Sequence, residues 1–338
     1  LMLDALRDAA TRGVRVRLLL DDNNTAGLDP VLAAFAREPN VEVRLFNPFG
    51  NRRWRSVGYL TDFSRLNRRM HNKSFTADNQ ASIVGGRNIG DEYFGVAGDM
   101  LFVDLDVMAV GPVVQQVSQD FDRYWNSASA YPVASLVDPA DAEPAGALAR
   151  RAAGLRGRPE AQRYLEAIRT SPFVEQLVQR RLPLEWSTTR LVSDDPAKVL
   201  GKAGRDTRMA VHLAKLLGEP KRQLDLVSPY FVPSKEAARV LEDIARSGAQ
   251  VRILTNSLEA TDVAAVHAGY AKWRHDLLKA GVSLYELRRS WGAELPDTGR
   301  ASFGSSASSL HAKTIGVDGR SVFVGSFNMD RRSIDLNT

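Results

Sequence analysis

The chain has 338 residues, of which 44% are hydrophobic and 25% are charged, and it contains no cysteine. These fractions are typical of a folded globular protein, so they exclude extensive disorder and a bundle of membrane-spanning helices. The absence of thiols excludes disulfides, cysteine-bound metals and a cysteine nucleophile. Lysine and arginine number 45 against 40 aspartates and glutamates, and the net charge of +5 favours anionic partners such as nucleic acid, phosphate esters or an acidic lipid surface.

A helix–glycine–strand pattern opens the chain and returns in its second half. Residues 6–19 align with residues 241–254, and this alignment places Gly13 against Gly248. In both segments an apolar helix face ends at a glycine, and β-branched residues then alternate with polar ones, which predicts one αβ unit present twice. Two further matches follow at nearly the same spacing, 41–45 with 282–286 and 70–73 with 310–313.

A different stretch separates the two copies. We predict a first lobe at residues 1–125, a connector at 126–221 and a second lobe at 222–338, with the first lobe trimmed at its N-terminus and the second at its C-terminus. Alternation of strands with helices predicts an α/β fold of two pseudo-symmetric lobes, each a mixed sheet flanked by helices, with the active site at their interface. Within the connector we predict helices at 148–168 and 173–181 and a short strand at 182–192.

One spacing of polar and small residues, H-x-K-x(4)-D-x(6)-G-[GS]-x-N, occurs once in each copy. The residues concerned are His71, Lys73, Asp78, Gly85, Gly86 and Asn88 in the first copy, and His311, Lys313, Asp318, Gly325, Ser326 and Asn328 in the second. Histidine and lysine two residues apart on a strand point to the same face, which suits a phosphate. The small residues allow close approach of a ligand to the backbone, and the asparagine amides can donate to phosphoryl oxygens.

Two such motifs suit displacement at a phosphodiester. One histidine, in the neutral form, acts as nucleophile, and the other, protonated, donates to the leaving oxygen. The paired lysines and asparagines stabilise the phosphoryl charge, so we predict no metal and no cofactor. The sequences Asp78-Asn79 and Asp318-Gly319 are typical of hairpin turns, which favours a structural role for both aspartates. His212 and His275 are interpreted as solvated or hydrogen-bonded structural residues.

These residues resemble the doubled HKD motif of the phospholipase D superfamily, and within it they are most similar to bacterial cardiolipin synthases. The similar segments are 20–25, 46–49, 86–94, 228–233 and 332–337. The resemblance implies that His71 attacks phosphorus to form a phosphohistidine and that His311 acts as the general acid and base. It also implies one carboxylate behind each histidine. Asp104 is our candidate in the first copy, and we expect the counterpart for the second copy just past Thr338.

The substrate is less clearly indicated by the residues themselves. Residues 51–73 combine seven basic residues and one acidic residue with three aromatic rings, a composition that suits a bilayer surface, single-stranded nucleic acid or a solvated helix face. The resemblance favours phospholipid substrates, phosphatidylglycerol and also phosphatidylethanolamine, and no nucleic acid. We therefore predict a monomeric phosphatidyltransferase that is peripheral on a bacterial membrane, with loop 228–233 as a substrate wall.

Three alternatives stay open at this point. Water as acceptor would make the protein a phospholipase. A metal-independent phosphodiesterase or nuclease would use the same motifs on nucleic acid. A scaffold protein without chemistry is a third possibility, against which the intact histidines and lysines of both copies argue.

Overall fold

The computed structural model describes residues 1–94, 101–288 and 308–338. The helices in chain order are α1 Met2–Thr11, α2 Asp29–Phe35, α3 Arg55–Thr61, α4 Phe63–Leu66, α5 Pro112–Trp125, α6 Ala147–Arg156, α7 Pro159–Arg169, α8 Pro172–Val178, α9 Met209–Leu217, α10 Lys235–Arg246, α11 Ala264–Lys279 and α12 Arg331–Asp335. The strands are β1 Val16–Asp21, β2 Val41–Phe46, β3 Ser74–Ala77, β4 Ala81–Gly85, β5 Leu101–Val103, β6 Asp106–Val110, β7 Ala130–Pro132, β8 Gln223–Val227, β9 Gln250–Asn256, β10 Ser283–Leu287, β11 Ser308–Leu310, β12 Thr314–Val317 and β13 Ser321–Val324.

The chain packs as two compact units. The first unit comprises Leu1–Met70, Asp120–Thr189 and Pro196–Ala203. The second unit comprises His71–Gln119, Arg190–Asp195 and Gly204–Thr338. Both copies of the repeated motif fall within the second unit. The units follow packing and not the sequence repeat, so the predicted lobe boundaries stay a prediction.

The first unit is built on a sheet of order β1-β2-β7. Strands β1 and β2 are parallel, and β7 is antiparallel to β2. Alternate residues of β2, Val43 and Leu45 among them, are buried because they face the apolar sides of α1 and α2, represented in the core by Ala10, Leu32 and Phe35.

The second unit contains a five-stranded mixed sheet of order β10-β9-β8-β12-β13. Strands β8, β9 and β10 are parallel, whereas β12 pairs antiparallel with both β8 and β13. Ile253 on β9 packs with Phe231, Tyr270 and Leu277 in the core of this unit. Since β12 begins opposite the last residue of β8, the segment 311–313 lies at the carboxyl edge of the parallel strands.

The predicted duplication is confirmed in its local structure. Strand β1 follows α1 just as β9 follows α10, and the intervening Gly13 and Gly248 have φ of 93° and 96°. Only glycine adopts this left-handed region without steric cost, which explains the residue at both helix ends. The predicted α/β class is likewise confirmed.

Both predicted hairpins are present. Strands β3 and β4 pair in one of them, and β12 and β13 pair in the other. At the turns, Asp78 and Asn79 have φ of 53° and 54°, and Asp318 and Gly319 have φ of 55° and 66°. Each connection contains a third residue, so these are not the two-residue loops that the sequence suggested.

Two predictions in the connector are wrong. The helix predicted at 148–168 is two helices, α6 and α7, because Pro159 cannot continue a helix and instead begins α7. The strand predicted at 182–192 does not exist, since residues 181–195 have no regular structure. Pro183 lacks an amide donor, and the apolar members of the alternating pattern, Leu184 and Trp186, are exposed and pack on no sheet.

Candidate active site

His71 lies immediately before β3, and a residue of the second motif holds its ring. The His71 Nδ1 atom is 3.0 Å from the Ser326 carbonyl oxygen, which can only accept, so Nδ1 carries the proton and Nε2 keeps its lone pair. The His71 backbone N–H donates to the Thr338 carbonyl at 2.8 Å. The two motifs thus lie side by side, as the shared-site hypothesis predicts.

The surroundings of His71 keep its imidazole neutral. Burial lowers the pKa of His71 well below its usual value, and the charges of Lys73, Lys313 and His311 lower the pKa further. A neutral imidazole with an unprotonated Nε2 is the form of histidine that attacks an electrophile.

His311 lies between β11 and β12 and is buried. Its backbone N–H donates to the Val103 carbonyl at 2.7 Å, and its Nδ1 is 2.6 Å from Asp104 Oδ2. Its Nε2 is 3.3 Å from the Tyr93 hydroxyl. The carboxylate fixes Nδ1 as the donor and therefore leaves Nε2 to exchange a proton.

Asp104 does not serve the histidine to which we assigned it. The sequence placed Asp104 behind His71, in the same copy, but the structure places its carboxylate on His311. The reason is the parallel pairing of β5 with β11, in which Val103 lies opposite Leu310. The residues that follow these two strands, Asp104 and His311, are thereby brought side by side.

Tyr93 is a site residue that sequence reasoning missed. Asn88 Nδ2 donates to the Tyr93 hydroxyl at 2.7 Å, so this amide of the first motif holds a tyrosine against His311. The Tyr93 ring also packs edge-on against the imidazole, and Phe102 contacts both rings. Burial raises the pKa of Tyr93 to about 12, so its hydroxyl stays protonated. Tyr93 lies within segment 86–94, one of the segments that are similar to the family, and this similarity was the only sign in the sequence of its role.

The pKa of His311 does not agree with our expectation that one of the two histidines is protonated. Burial lowers the pKa of His311, the hydrogen bond to Asp104 raises it, and the charge of Lys313 lowers it; the net direction is downward. Both imidazoles therefore favour the neutral form at pH 7. The Asp104 carboxylate in contact with His311 would stabilise a proton on this ring once it arrives.

The two lysines occupy equivalent places. Each ammonium donates to the carbonyl oxygen of the histidine two residues earlier, Lys73 to His71 and Lys313 to His311. Burial lowers the pKa of Lys313 to about 8. Lys313 Nζ is also 3.1 Å from His311 Nδ1, so cationic charge lies against the imidazole.

The small residues of the motifs lie against catalytic candidates. A Cβ added at Gly86 would lie 2.9 Å from Asp104 Oδ2 and closer still to Oδ1, whereas Ser326 in the second motif presents its carbonyl to His71. This close approach explains why the two copies differ at this position. Asn328 is buried, and its Oδ1 has no hydrogen-bond partner within the described ranges.

The motif aspartates lie at the turns, at the far ends of their strands from the histidines. The Asp318 carboxylate accepts backbone N–H groups of Arg222 and Gln223 at 2.8 and 2.9 Å, and these bonds lower the pKa of Asp318. Asp78 has the left-handed conformation of its turn. These contacts support the structural interpretation of both residues.

The other histidines singled out from the sequence lie at the surface, whereas the predicted substrate wall is partly buried. His212 and His275 are exposed on helices α9 and α11, which supports the interpretation that both are solvated. In loop 228–233, Phe231 belongs to the core of the second unit, while the Tyr230 hydroxyl donates to Asp262 at 2.6 Å. Part of the predicted substrate wall is therefore core.

Much of the basic cluster at 51–73 is committed to internal ion pairs. Arg52 binds Asp22 at 2.8 Å and also Asp29, and Arg55 Nη1 donates to the Asp22 carbonyl at 2.7 Å. Arg69 pairs with Asp21 at 2.8 Å. Because Asp22 is fully buried, these arginines neutralise carboxylates inside the first unit and do not form a free basic patch.

Across residues 1–94, 101–288 and 308–338, no group of three or more histidine, cysteine, aspartate or glutamate side chains is arranged to hold a metal ion.

The lowered pKa of His71 predicts a pH-dependent stability. Below about pH 6.5 the histidine binds a proton in the unfolded chain, whereas buried His71 in the native protein stays neutral. The free energy of unfolding therefore falls as the pH falls, by up to about 1.4 kcal/mol per pH unit. Urea unfolding between pH 7.5 and 5.5 should show a steeper loss for the wild type than for His71→Asn. His275→Asn, at an exposed site, should keep the wild-type slope. Parallel pH profiles for the wild type and His71→Asn would contradict the burial argument.

Comparison with known proteins assigns the class. A family described as "Cardiolipin synthase, PLD-like domain" matches residues 1–125 and 213–338. A crystal structure of phosphatidylserine synthase from Haemophilus influenzae shares the fold with a TM-score of 0.53 at 14% identity, and it is aligned over 99% of this chain and 78% of that one. The chain belongs to the phospholipase D-like family of cardiolipin synthases.

Individual relatives sharpen the assignment. The chain is 52% identical to Cardiolipin synthase C of Escherichia coli over 100% of its own length and 71% of that protein. It is 34% identical to an uncharacterized protein of Helicobacter pylori, of which it covers 66%, and 26% identical to a cardiolipin synthase of Alkalihalophilus pseudofirmus, of which it covers 52%. The chain thus spans between about half and about seven tenths of these relatives.

Proposed function

We propose that the protein is a phosphatidyltransferase that makes cardiolipin from phospholipids through a covalent phosphohistidine, with His71 as nucleophile and His311 as general acid and base. The observation that carries the proposal is the meeting of the two motifs, in which His71 Nδ1 contacts the Ser326 carbonyl and His311 Nδ1 contacts Asp104, while the role of each ring follows the family resemblance. Burial and the nearby cations lower the pKa of His71 and keep its imidazole in the neutral form, which is the form that attacks phosphorus.

In the first step His71 Nε2 attacks the phosphorus of the donor phospholipid. A nitrogen–phosphorus bond forms and the bond from phosphorus to the headgroup oxygen breaks, with its electron pair moving to that oxygen. His311 Nε2 gives the oxygen a proton, and the leaving oxygen takes the place of the Tyr93 hydroxyl beside Nε2. The negative charge of the bound phosphodiester raises the pKa of His311, so substrate binding favours the protonated form that acts as the acid.

In the second step the hydroxyl of the acceptor attacks the same phosphorus. His311 Nε2, now neutral, takes the proton of that hydroxyl, and the nitrogen–phosphorus bond breaks with its electron pair returning to His71. Asp104 stabilises the imidazolium that forms in this step. Phosphatidylglycerol as acceptor gives cardiolipin, whereas water gives phosphatidic acid.

Cationic and amide groups stabilise the phosphoryl oxygens in both steps. Lys73 and Lys313 supply positive charge beside the two imidazoles, and Asn328 extends from the turn that also supplies the Ser326 carbonyl. Groups fixed in advance in a water-poor site act more strongly than they do in water. Lys313 is buried, so its charge falls within such an environment.

The proposed substrates are phosphatidylglycerol as acceptor and phosphatidylglycerol or phosphatidylethanolamine as phosphatidyl donor. We further propose that the protein acts as a monomer, peripheral to a bacterial membrane. No helix among the residues that the structure covers is long and apolar enough to cross a bilayer.

The test is to incubate the full-length protein in EDTA with vesicles of labelled phosphatidylglycerol and phosphatidylethanolamine and to separate the lipids by chromatography. Labelled cardiolipin is the expected product. Phosphatidic acid alone would make the protein a phospholipase. Cleavage of DNA without lipid turnover, falling steeply as salt rises, would overturn the proposal in favour of a nuclease.

The contact between Gly86 and Asp104 gives a mutational prediction. In Gly86→Ser the added Cβ would displace the Asp104 carboxylate from His311, and we expect the rate of cardiolipin formation to fall about 10- to 100-fold. The matched control is Gly50→Ser, because an added Cβ there meets nothing within 4 Å. Wild-type turnover in Gly86→Ser would show that Asp104 does not depend on this space.

A further inference from the structure

The first unit exposes a stripe of large apolar side chains on α3 and at the start of α4. Trp54, Val57, Leu60 and Phe63 recur every three residues along this segment, and their exposed fractions are 61%, 44%, 86% and 59%. Contiguous large apolar side chains left in water mark a contact surface with another apolar phase. We call these four residues the α3 stripe.

The opposite side of the same helices is fixed to the body of the first unit. Gly58 leaves room for Phe49 and for Leu66, which is buried, and Tyr59 packs edge-on against Phe49. The helix is therefore anchored by one face, and the exposure of the α3 stripe follows from its orientation.

The charges around the stripe suit an anionic lipid surface. Arg53, beside Trp54, is exposed. The one acidic residue between positions 51 and 73 is Asp62, and it pairs with Arg65. An anionic headgroup layer therefore meets positive charge beside the stripe and no unpaired carboxylate from this segment. Tryptophan at the edge of an apolar patch is typical of the boundary between headgroups and acyl chains.

We propose that the α3 stripe is the membrane-docking surface of the protein and that its four side chains enter the boundary between headgroups and acyl chains of a phospholipid bilayer. This inference rests on the proposed function, which takes its substrates from a bilayer. Since Arg52, Arg55 and Arg69 are held by internal carboxylates, apolar insertion contributes most of the binding and the basic residues contribute little. The bound fraction should therefore change less than about twofold in salt that screens surface charge.

The experiment uses the absence of cysteine in the sequence. Leu60→Cys, as the single cysteine of the 338-residue chain, is labelled with the environment-sensitive fluorophore NBD, and the protein is mixed with vesicles of phosphatidylglycerol and phosphatidylethanolamine. We expect a blue-shifted emission that nitroxide-labelled lipid quenches. The matched control is Val178→Cys, at the end of α8, where the native side chain is 76% exposed, and its label should not respond.

A second variant measures the energetic role of the stripe. Leu60→Ser combined with Phe63→Ser should lower the vesicle-bound fraction about tenfold in co-sedimentation, with an unchanged melting temperature because both side chains are exposed. The proposal would be overturned if the emission of the label at residue 60 does not change when the protein binds vesicles. It would also be overturned if this emission is already blue-shifted without vesicles, because the protein itself would then cover the label. Failure to bind vesicles at all would also overturn it. Insertion without cardiolipin formation would refute the proposed function and leave the docking surface intact.

Discussion

Replacing His71 with asparagine should lower turnover by at least about 10⁴-fold and remove the covalent intermediate, because the lost Nε2 atom is the one that bonds phosphorus. Asparagine retains an N–H that can donate to the Ser326 carbonyl, so the variant keeps the hydrogen bond that holds this position. The measurement is rapid quenching of the enzyme with labelled donor lipid, followed by tryptic digestion and mass spectrometry at neutral pH.

The sequence makes this measurement specific. Trypsin releases His71 in the tetrapeptide 70–73, and it releases His311 in the peptide 301–313, so the adduct mass identifies the attacking histidine directly. The wild type should carry the phosphatidyl group on peptide 70–73, and His275→Asn, the exposed control, should behave like the wild type. An adduct on peptide 301–313 would reverse the proposed roles of the two rings.

The fold could be predicted where the sequence repeats itself. The helix–glycine–strand units and the motif hairpins depend on short-range signals, such as glycine with positive φ and aspartate in a turn, and these signals act within a few residues. Segment 182–192 shows the opposite case. Its apolar residues alternate like those of a strand, but no strand among the described residues pairs with them, and alternation without a partner is insufficient.

The site could be predicted as a set of residues but not as a set of contacts. The motif spacing identified both histidines and both lysines, and it also indicated that the two copies act together. The partner of Asp104 depends on the pairing of β5 with β11, which joins segments about two hundred residues apart along the chain, and no local spacing encodes that pairing. The position of Tyr93 against His311 depends on the same arrangement.

The pairing of the basic cluster at 51–73 could not be predicted from composition for a related reason. A count of arginines between 51 and 73 cannot show that Asp21, Asp22 and Asp29, which lie earlier in the chain, neutralise several of them. The large side chains that remain exposed in this region, Arg53 apart, are apolar, which changes the expected mode of lipid binding from charge attraction to insertion.

His311→Asn should separate the two chemical steps when the leaving group is varied. With a natural phospholipid, loss of the general acid and base should lower turnover about 10²- to 10⁴-fold. With a phosphatidyl ester of p-nitrophenol, whose leaving oxygen is stable without a proton, the first step no longer needs His311. This variant should therefore release one equivalent of p-nitrophenol in a burst and then stall, since no base activates the acceptor hydroxyl.

The contrast with His71→Asn makes the burst decisive, because removal of the nucleophile abolishes the first step for every leaving group, whereas removal of the acid spares the step for a good one. Asp104→Asn should lie between His311→Asn and the wild type, with a burst followed by slow turnover, since the imidazole of His311 remains but loses the carboxylate that stabilises its protonated form. Stopped-flow absorbance would record all three variants. If His311→Asn gives no burst with the activated ester and His71→Asn gives one, then the ring held by Asp104 is the nucleophile and the proposed roles of the two histidines are reversed.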